Sequence, residues 1–317
     1  MPRKPLDQAV YDELQTEIAS YTADPALMEP ERFVARQDAW RLIERRVMRR
    51  IEALMQNADK GERKHLRVIK RHGHAIRSAY DEANGQLYAA FRAHIGPALA
   101  PESVLAQWAS YVEPVRREVW SDPPRYDHLD TFLDGVLQLD LAPRPQREPD
   151  MEMVHYQPTP ARIVLDMVQR LDLGPHDVFY DLGSGLGRVT IAVALLSHAE
   201  VKGVEFEPVY TEWSRRHAHE LGIQRTTFIN ADARDVRYDD GTVFFLYTPF
   251  KGKILQRVID LLRYEARHRL IRICTYGPGT FDVMKEGGFR SVDDPEPTVN
   301  RVAILRVEEG APPVTAP

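Results

Sequence analysis

Only one cysteine, Cys274, occurs in the 317 residues. That excludes an internal disulfide and any cysteine-rich zinc site. Its setting in the apolar run LIRICTY predicts a core position. No stretch reaches the ~18 consecutive apolar residues that a membrane span needs. The opening residues, MPRKPLDQ, lack the apolar region of a secretory signal. A cytoplasmic protein with no membrane partner is expected. A basic excess is missing too: the net charge is −5, which argues against a general nucleic-acid binder. Lysine is scarce beside arginine, which suggests a GC-rich, bacterial genome. What remains, 43% hydrophobic and 28% charged residues, is ordinary for a globular chain, and the length allows two domains.

The chain is organised around HDVFYDLGSGLGRVTIAV, residues 176–193. Val178, Phe179 and Tyr180 read as an interior parallel strand, closed by Asp181. Gly183, Gly185 and Gly187 follow at alternate positions, with Ser184 and Leu186 between them, and Arg188–Leu196 reads as a helix. Such glycines permit unusual backbone angles and close approach of a ligand, and the free N–H groups of the helix start face the same space. The spacing is G-x-G-x-G, with Arg188 where a dinucleotide fingerprint needs its third glycine. No G-K-[ST] closes the loop, so it is not a phosphate-binding P-loop. An acid directly before the loop suits an ammonium-bearing ligand better than a pyrophosphate.

DLGSGLG resembles motif I of the class I S-adenosylmethionine-dependent methyltransferases. The aromatic-proline-threonine-proline approach at 156–160, and GVE at 203–205, resemble bacterial relatives of the disruptor-of-telomeric-silencing type of lysine methyltransferase. The likeness covers about residues 150–307 and implies S-adenosyl-L-methionine as cofactor. It makes Tyr156 and Thr159 candidates for the methionine end, with Thr159 also a plausible cap for the next helix. Glu205, at the tip of the second strand, lies 18 residues beyond Gly187. That is close to the interval of about 20 for ribose-binding acids, and Phe206 could lie against the adenine. In this class an acid after strand three holds the adenine amino group and the next backbone N–H meets the ring, which falls here on Asp232 and Ala233. Thus Asp181, Gly183, Ser184, Gly185, Leu186, Gly187, Glu205, Phe206, Asp232 and Ala233 are the expected cofactor contacts, with Tyr156, Thr159 and Tyr247.

The catalytic motif departs from the pattern. Where amino-modifying DNA methyltransferases have Asn or Asp, two prolines and an aromatic, this chain has Tyr247, Thr248, Pro249 and Phe250. The asparagine pair of the histone-methylating group falls on Tyr247 and Thr248. Tyr247 is the first candidate at the methyl site, followed by Tyr156, with His155 and Tyr276 as lesser ones. No general base is named.

The remaining strands are read at 201–205, 225–230, 241–250 (strand and exit) and 270–276, with a final hairpin at about 289–293 and 301–307. Helices from just after Thr159 to Leu171 and at 208–222, 251–266 and 281–288 alternate with them. This is an α/β, Rossmann-like, seven-stranded class I methyltransferase sheet. An all-α domain precedes it.

In that first part, helices are expected at about 7–21, 31–57 and from Leu66 past Ala90, with shorter ones near 101–118 and 127–139. Phe33, Trp40, Val47 and Leu54 recur every seven residues. Leu66, Ile69, Gly73, Ile76, Tyr80, Ala83, Leu87 and Ala90 follow a three-four spacing, which predicts an antiparallel hairpin with Gly61 as the breaker in its turn. Trp108, Tyr111, Leu129, Phe132 and Leu133 are further core candidates. Residues 41–77 hold 12 Lys or Arg against 4 Asp or Glu; a solvated helix face explains them more simply than an acidic partner. The boundaries read as 1–145, a helical domain; 146–310, the methyltransferase domain; and 311–317, a disordered tail. The expected reaction is methyl transfer to an unidentified small molecule or protein side chain held between the domains, with the hairpin available for homo-oligomers. The competing readings are a non-catalytic cofactor-binding or scaffold protein and, less well supported, a nicotinamide oxidoreductase.

Overall fold

A computed structural model describes residues 5–22, 24–95, 101, 103–104, 126–139 and 143–307. Trp108, Tyr111, the helix read near 101–118 beyond residue 104, and the tail at 311–317 lie outside the described residues. The chain forms two compact units: Met1–Phe91 with Gln107–Glu118, and Arg92–Ala106 with Val119–Pro317.

The first unit is helical. Helix α1 spans Gln8–Thr22, α2 Phe33–Ile43 and α3 Arg49–Asn57, with a π turn at Glu44–Met48 joining the last two. Helix α4 runs Lys60–His94. The turn before α4 is set by a reciprocal cap, not by Gly61, which lies inside the helix. Asp59 Oδ1 accepts from the Glu62 N–H (2.8 Å) and Glu62 Oε2 from the Asp59 N–H (2.8 Å). Leu66, Ile69, Ile76 and Tyr80 are buried with Ile18, Ile43, Val47 and Ile51 in one core. Gly73 does what its place in the seam demands. A Cβ there would meet Met48 Sδ at 2.6 Å, so glycine lets that side chain lie on the helix without shifting. Farther along, Asn84 and Phe91 take the buried positions read for Ala83 and Ala90. Asn84 is buried because Arg36 Nε donates to its Oδ1 (2.9 Å).

The second unit is the α/β part. Its strands are β1 Val178–Leu182, β2 Glu200–Glu205, β3 Thr226–Asn230, β4 Val243–Leu246, β5 Arg272–Thr275, β6 Phe289–Ser291 and β7 Ala303–Val307. They form a single sheet in the order β3-β2-β1-β4-β5-β7-β6. The first five are parallel, and β7 runs antiparallel to both β5 and β6. Helices α6 Ala161–Leu171, α7 Arg188–Leu196, α8 Pro208–Glu220, α9 Gly252–Ala266 and α10 Gly279–Gly287 connect them. Tyr180, Leu182, Phe244, Leu246 and Ile273 share a core with Ile254, Leu255, Val258 and Leu262 of α9. Strand alternation turns Phe179 and Asp181 to the opposite face, where Phe179 stacks on Phe245 at 6.4 Å. Cys274 is fully buried, and burial pushes its thiol up to about 12.

Helix α5, His128–Leu137, belongs to this unit rather than to the helical one, so packing does not divide the chain at residue 145. The reason is a buried bond. Asp130 Oδ1 accepts from Arg188 (2.6 Å), at the start of α7, and from the Ala161 N–H (2.8 Å). The second contact also corrects the expected cap of α6: Thr159 makes none, and Asp130 supplies it from another helix. The C-terminal end of α6 turns through Asp172 at φ 47° rather than through Gly174.

Candidate active site

The order of the strands reverses between β1 and β4, where ligands of open α/β sheets bind above the carboxyl ends. A cleft of about 530 Å³ lies there. The glycine turn forms its floor. Gly183, Gly185 and Gly187 have φ of 81°, 54° and 75°, angles that disfavour a side chain. The Gly183 and Ser184 N–H groups both donate to Val204 O of β2, at 2.9 and 3.0 Å, which folds the loop back over the strand ends.

Each glycine touches something different. A Cβ at Gly183 would strike Pro249, which follows β4, and one at Gly185 would collide with the Tyr156 ring. Gly187 instead faces Ser214 and Phe228, so it serves the packing of α8 and β3 against the turn. Neither Leu186 nor Gly187 lines the cleft; Leu186 is a core residue. The other expected contacts, Tyr156, Thr159, Asp181, Gly183, Ser184, Gly185, Glu205, Phe206, Asp232, Ala233 and Tyr247, all do.

The acids of the cleft are in different electrostatic states. Asp181 is buried, and the bond it accepts from Thr190 Oγ1 (2.9 Å) does not offset its burial. Burial, with the Glu205 carboxylate nearby, pushes it up to about 7. Glu205 holds the loop in place: Oε2 accepts the Gly185 N–H (2.7 Å) and Oε1 the Glu207 N–H (2.8 Å). It too is raised, mainly by burial, against those two bonds. A carboxylate oxygen can accept more than one donor, so both oxygens can still take ligand hydroxyls. Asp232 is different. Arg234 grips it with its guanidinium, at 2.7 and 3.0 Å, and with its backbone N–H at 2.9 Å, and this holds it below the usual carboxylate range.

Several cleft residues were not legible in the sequence. Arg188 is almost fully buried and paired with Asp130 and, at 2.9 Å, with Asp134. Glu207 caps α8 through Val209 N–H and also accepts from the Gln146 and Arg147 N–H groups (3.0 and 2.7 Å), fixing the segment before Asp150 to the rim. Burial pushes Glu207 up, but these donors outweigh it and leave it below the usual range. Arg147 lies 4.9 Å over the Phe206 ring. Glu152 Oε2 accepts the Ile254 N–H (3.0 Å) and ties the approach segment to the start of α9.

Tyr156, Tyr210 and Tyr247 give the cleft an aromatic lining, whereas Tyr276 does not line it. Tyr247 leans on Tyr276 with centroids 4.7 Å apart. Burial raises both hydroxyls, Tyr276 to about 12, so both stay protonated at neutral pH. Tyr156 is likewise raised by burial and meets Tyr210 edge-on at 5.8 Å. Thr248 has φ 45°, rare for a β-branched residue. Its hydroxyl holds it there, donating to Tyr276 O (3.2 Å) and accepting from the Gly279 N–H (3.1 Å).

Residues 153–245, from the approach segment to β4, match the family described as histone methylation protein DOT1. Over those residues the α/β unit is similar to the DOT1 type of methyltransferase. No curated protein matches the chain. Among solved structures, an RNA methyltransferase from Salinibacter ruber, in complex with S-adenosyl-L-homocysteine, is 23% identical. It covers 50% of this chain and 100% of its own, with a TM-score of 0.40. A precorrin-6y C5,15-methyltransferase from Geobacter metallireducens is 18% identical over 48% of this chain and 90% of its own, TM-score 0.37. The cleft residues fit S-adenosylmethionine, the cofactor that the resemblance of DLGSGLG to motif I implies. Asp181 and Glu205 both face the glycine turn, and no basic side chain bonds either one among the described residues. Such a pair suits a cationic ligand with an ammonium group and vicinal hydroxyls. Among the described residues no group of three or more His, Cys, Asp or Glu could hold a metal ion, and no helix is long and apolar enough to cross a membrane.

Proposed function

We propose that this chain transfers the methyl group of S-adenosylmethionine to an acceptor presented at the Tyr247 wall, by in-line displacement. The observation that carries this reading is the pair of carboxylates, buried Asp181 and half-buried Glu205, that line the cleft beside a glycine turn. When bound, the cofactor supplies an electrophilic methyl on a sulfonium. Asp181 then takes the ammonium end, and Glu205 the ribose hydroxyls through the lone pairs its backbone donors leave free. Asp232 keeps its Arg234 partner and offers its remaining lone pairs to the adenine amino group, with the Ala233 N–H beside the ring. Tyr156 and Thr159 border the methionine end.

The protein's contribution to rate is chiefly orientation, which can supply roughly 7–11 kcal/mol. A neutral lone pair is required on the acceptor. Tyr247 remains protonated, so it orients through a hydroxyl or a ring face and does not remove a proton. The acceptor is a small molecule or a protein side chain. A methyl-release assay with labelled cofactor against metabolite and protein pools tests the proposal. Labelled product, lost in Asp181→Asn and reduced in Tyr247→Phe, is the expected outcome. Tight cofactor binding with no labelled product in any pool would assign the non-catalytic reading instead.

A further inference from the structure

A long run of positive charge lies outside the cleft, along α4. From Lys60 to Arg77 there are seven Lys or Arg residues and a single acid, Glu62. Glu62 is buried and occupied: its oxygens accept from the Leu6 (2.7 Å) and Asp59 (2.8 Å) N–H groups. Three of the seven bases are already engaged. Arg63 donates to Met55 O, Lys70 pairs with Glu52 at 2.8 Å, and Arg77 pairs with Asp81 at 2.8 Å while lying over Trp40. The Lys70 ammonium bonded to Glu52 holds that carboxyl below the usual carboxylate range.

Lys60, Lys64, Arg67 and Arg71 are the other four. All are exposed, and their spacing of four, three and four places them on one stripe, opposite the buried Leu66, Ile69 and Gly73. The stripe covers about 16 Å of helix axis. Arg45 and Arg49 on the preceding segment are exposed as well.

What this face lacks narrows its partner. A protein interface wants apolar or aromatic anchors, and an anionic membrane wants an apolar face to insert. Val68 is the one large apolar residue exposed along α4 among the described residues. Single-stranded nucleic acid needs aromatic platforms, and α4 exposes none. A duplex backbone needs charge alone. The wide major groove of B-form DNA admits a helix, whereas that of A-form RNA does not. We infer that the basic stripe Lys60–Lys64–Arg67–Arg71 on α4 is a docking surface for the phosphate backbone of double-stranded DNA. The whole-chain charge of −5 conceals it because the acids lie elsewhere.

The test uses the full chain and a labelled duplex of about 20 base pairs, titrated between about 50 and 200 mM salt. Binding should weaken by at least about 100-fold over that range. Replacing all four residues by glutamine should flatten the slope of log K against log salt by about 3.6, at ~0.9 per phosphate contact. The pair Lys64→Gln with Arg67→Gln should flatten it by about half as much, and circular dichroism should show unchanged helix in both. Substituting the engaged Arg63 and Arg77 instead should change the slope little. No duplex binding at the lowest salt, or binding the four substitutions leave intact, would overturn the inference. So would equal affinity for duplex RNA, single strands, phosphatidylserine vesicles or polyglutamate.

Discussion

Arg36 in the helical unit and Arg188 in the α/β unit are buried to the same depth, 0% and 1% exposed. Their surroundings differ. Arg36 donates to the Leu27 and Glu29 carbonyls and to Asn84, all of them groups that the fold itself leaves over. Arg188 pairs with Asp130 and Asp134 at the wall of a cleft. The acids repeat the contrast. Glu62 is used up by backbone N–H groups, whereas Asp181 is bonded by Thr190 alone and, pushed up to about 7, is only half ionised at neutral pH. Buried charge that backbone groups consume serves the fold. A buried acid that borders open space and, unlike Arg188, lacks an opposite partner serves a ligand.

Substitution at Asp181 should separate the two most sharply. Asp181→Asn keeps the shape and removes a carboxylate whose burial is unfavourable when ionised. Cofactor affinity by calorimetry should fall at least ~100-fold, about 2.7 kcal/mol, while the melting temperature at pH 8 holds or rises. A parallel loss of both would make Asp181 a fold residue like Arg36. The complementary change, Arg36→Met, strands two carbonyls and Asn84 and should lower stability by about 2–3 kcal/mol in thermal unfolding, with cofactor affinity unchanged.

A smaller effect follows from pH. A cationic ligand favours ionised Asp181, so it draws the group's value down from about 7 on binding. Affinity is therefore full above that value and falls as pH drops through it, by up to about tenfold from pH 7 to 6. Asp181→Asn should abolish this dependence. The smallest expected effect is at the α4 cap: Asp59→Ala should cost about 1 kcal/mol of stability and nothing in binding.

The α/β unit was largely legible in the sequence because its signals are local. An apolar run, a glycine turn and a helix succeed one another within 176–193, and the acid of Glu205 follows at a fixed interval. The heptads of the helical unit were legible for the same reason. What escaped depends on partners far along the chain. Thr159 looks like a cap for α6, but Asp130, 31 residues before Ala161, supplies it. Arg188 reads only as a missing glycine until its two aspartates are seen across the fold. Helix α5 carries an ordinary apolar stripe that does not say which unit it joins. Leu186 sits among cleft residues in sequence, yet the turn points it into the core.

Calorimetric titration of the full chain at pH 8 with S-adenosylmethionine, and separately with NAD, tests most directly whether the Asp181–Glu205 cleft takes a cationic nucleoside. The account predicts one site per chain, micromolar affinity for the sulfonium compound and no heat from NAD. No binding at millimolar S-adenosylmethionine, or comparable affinity for NAD, would contradict it.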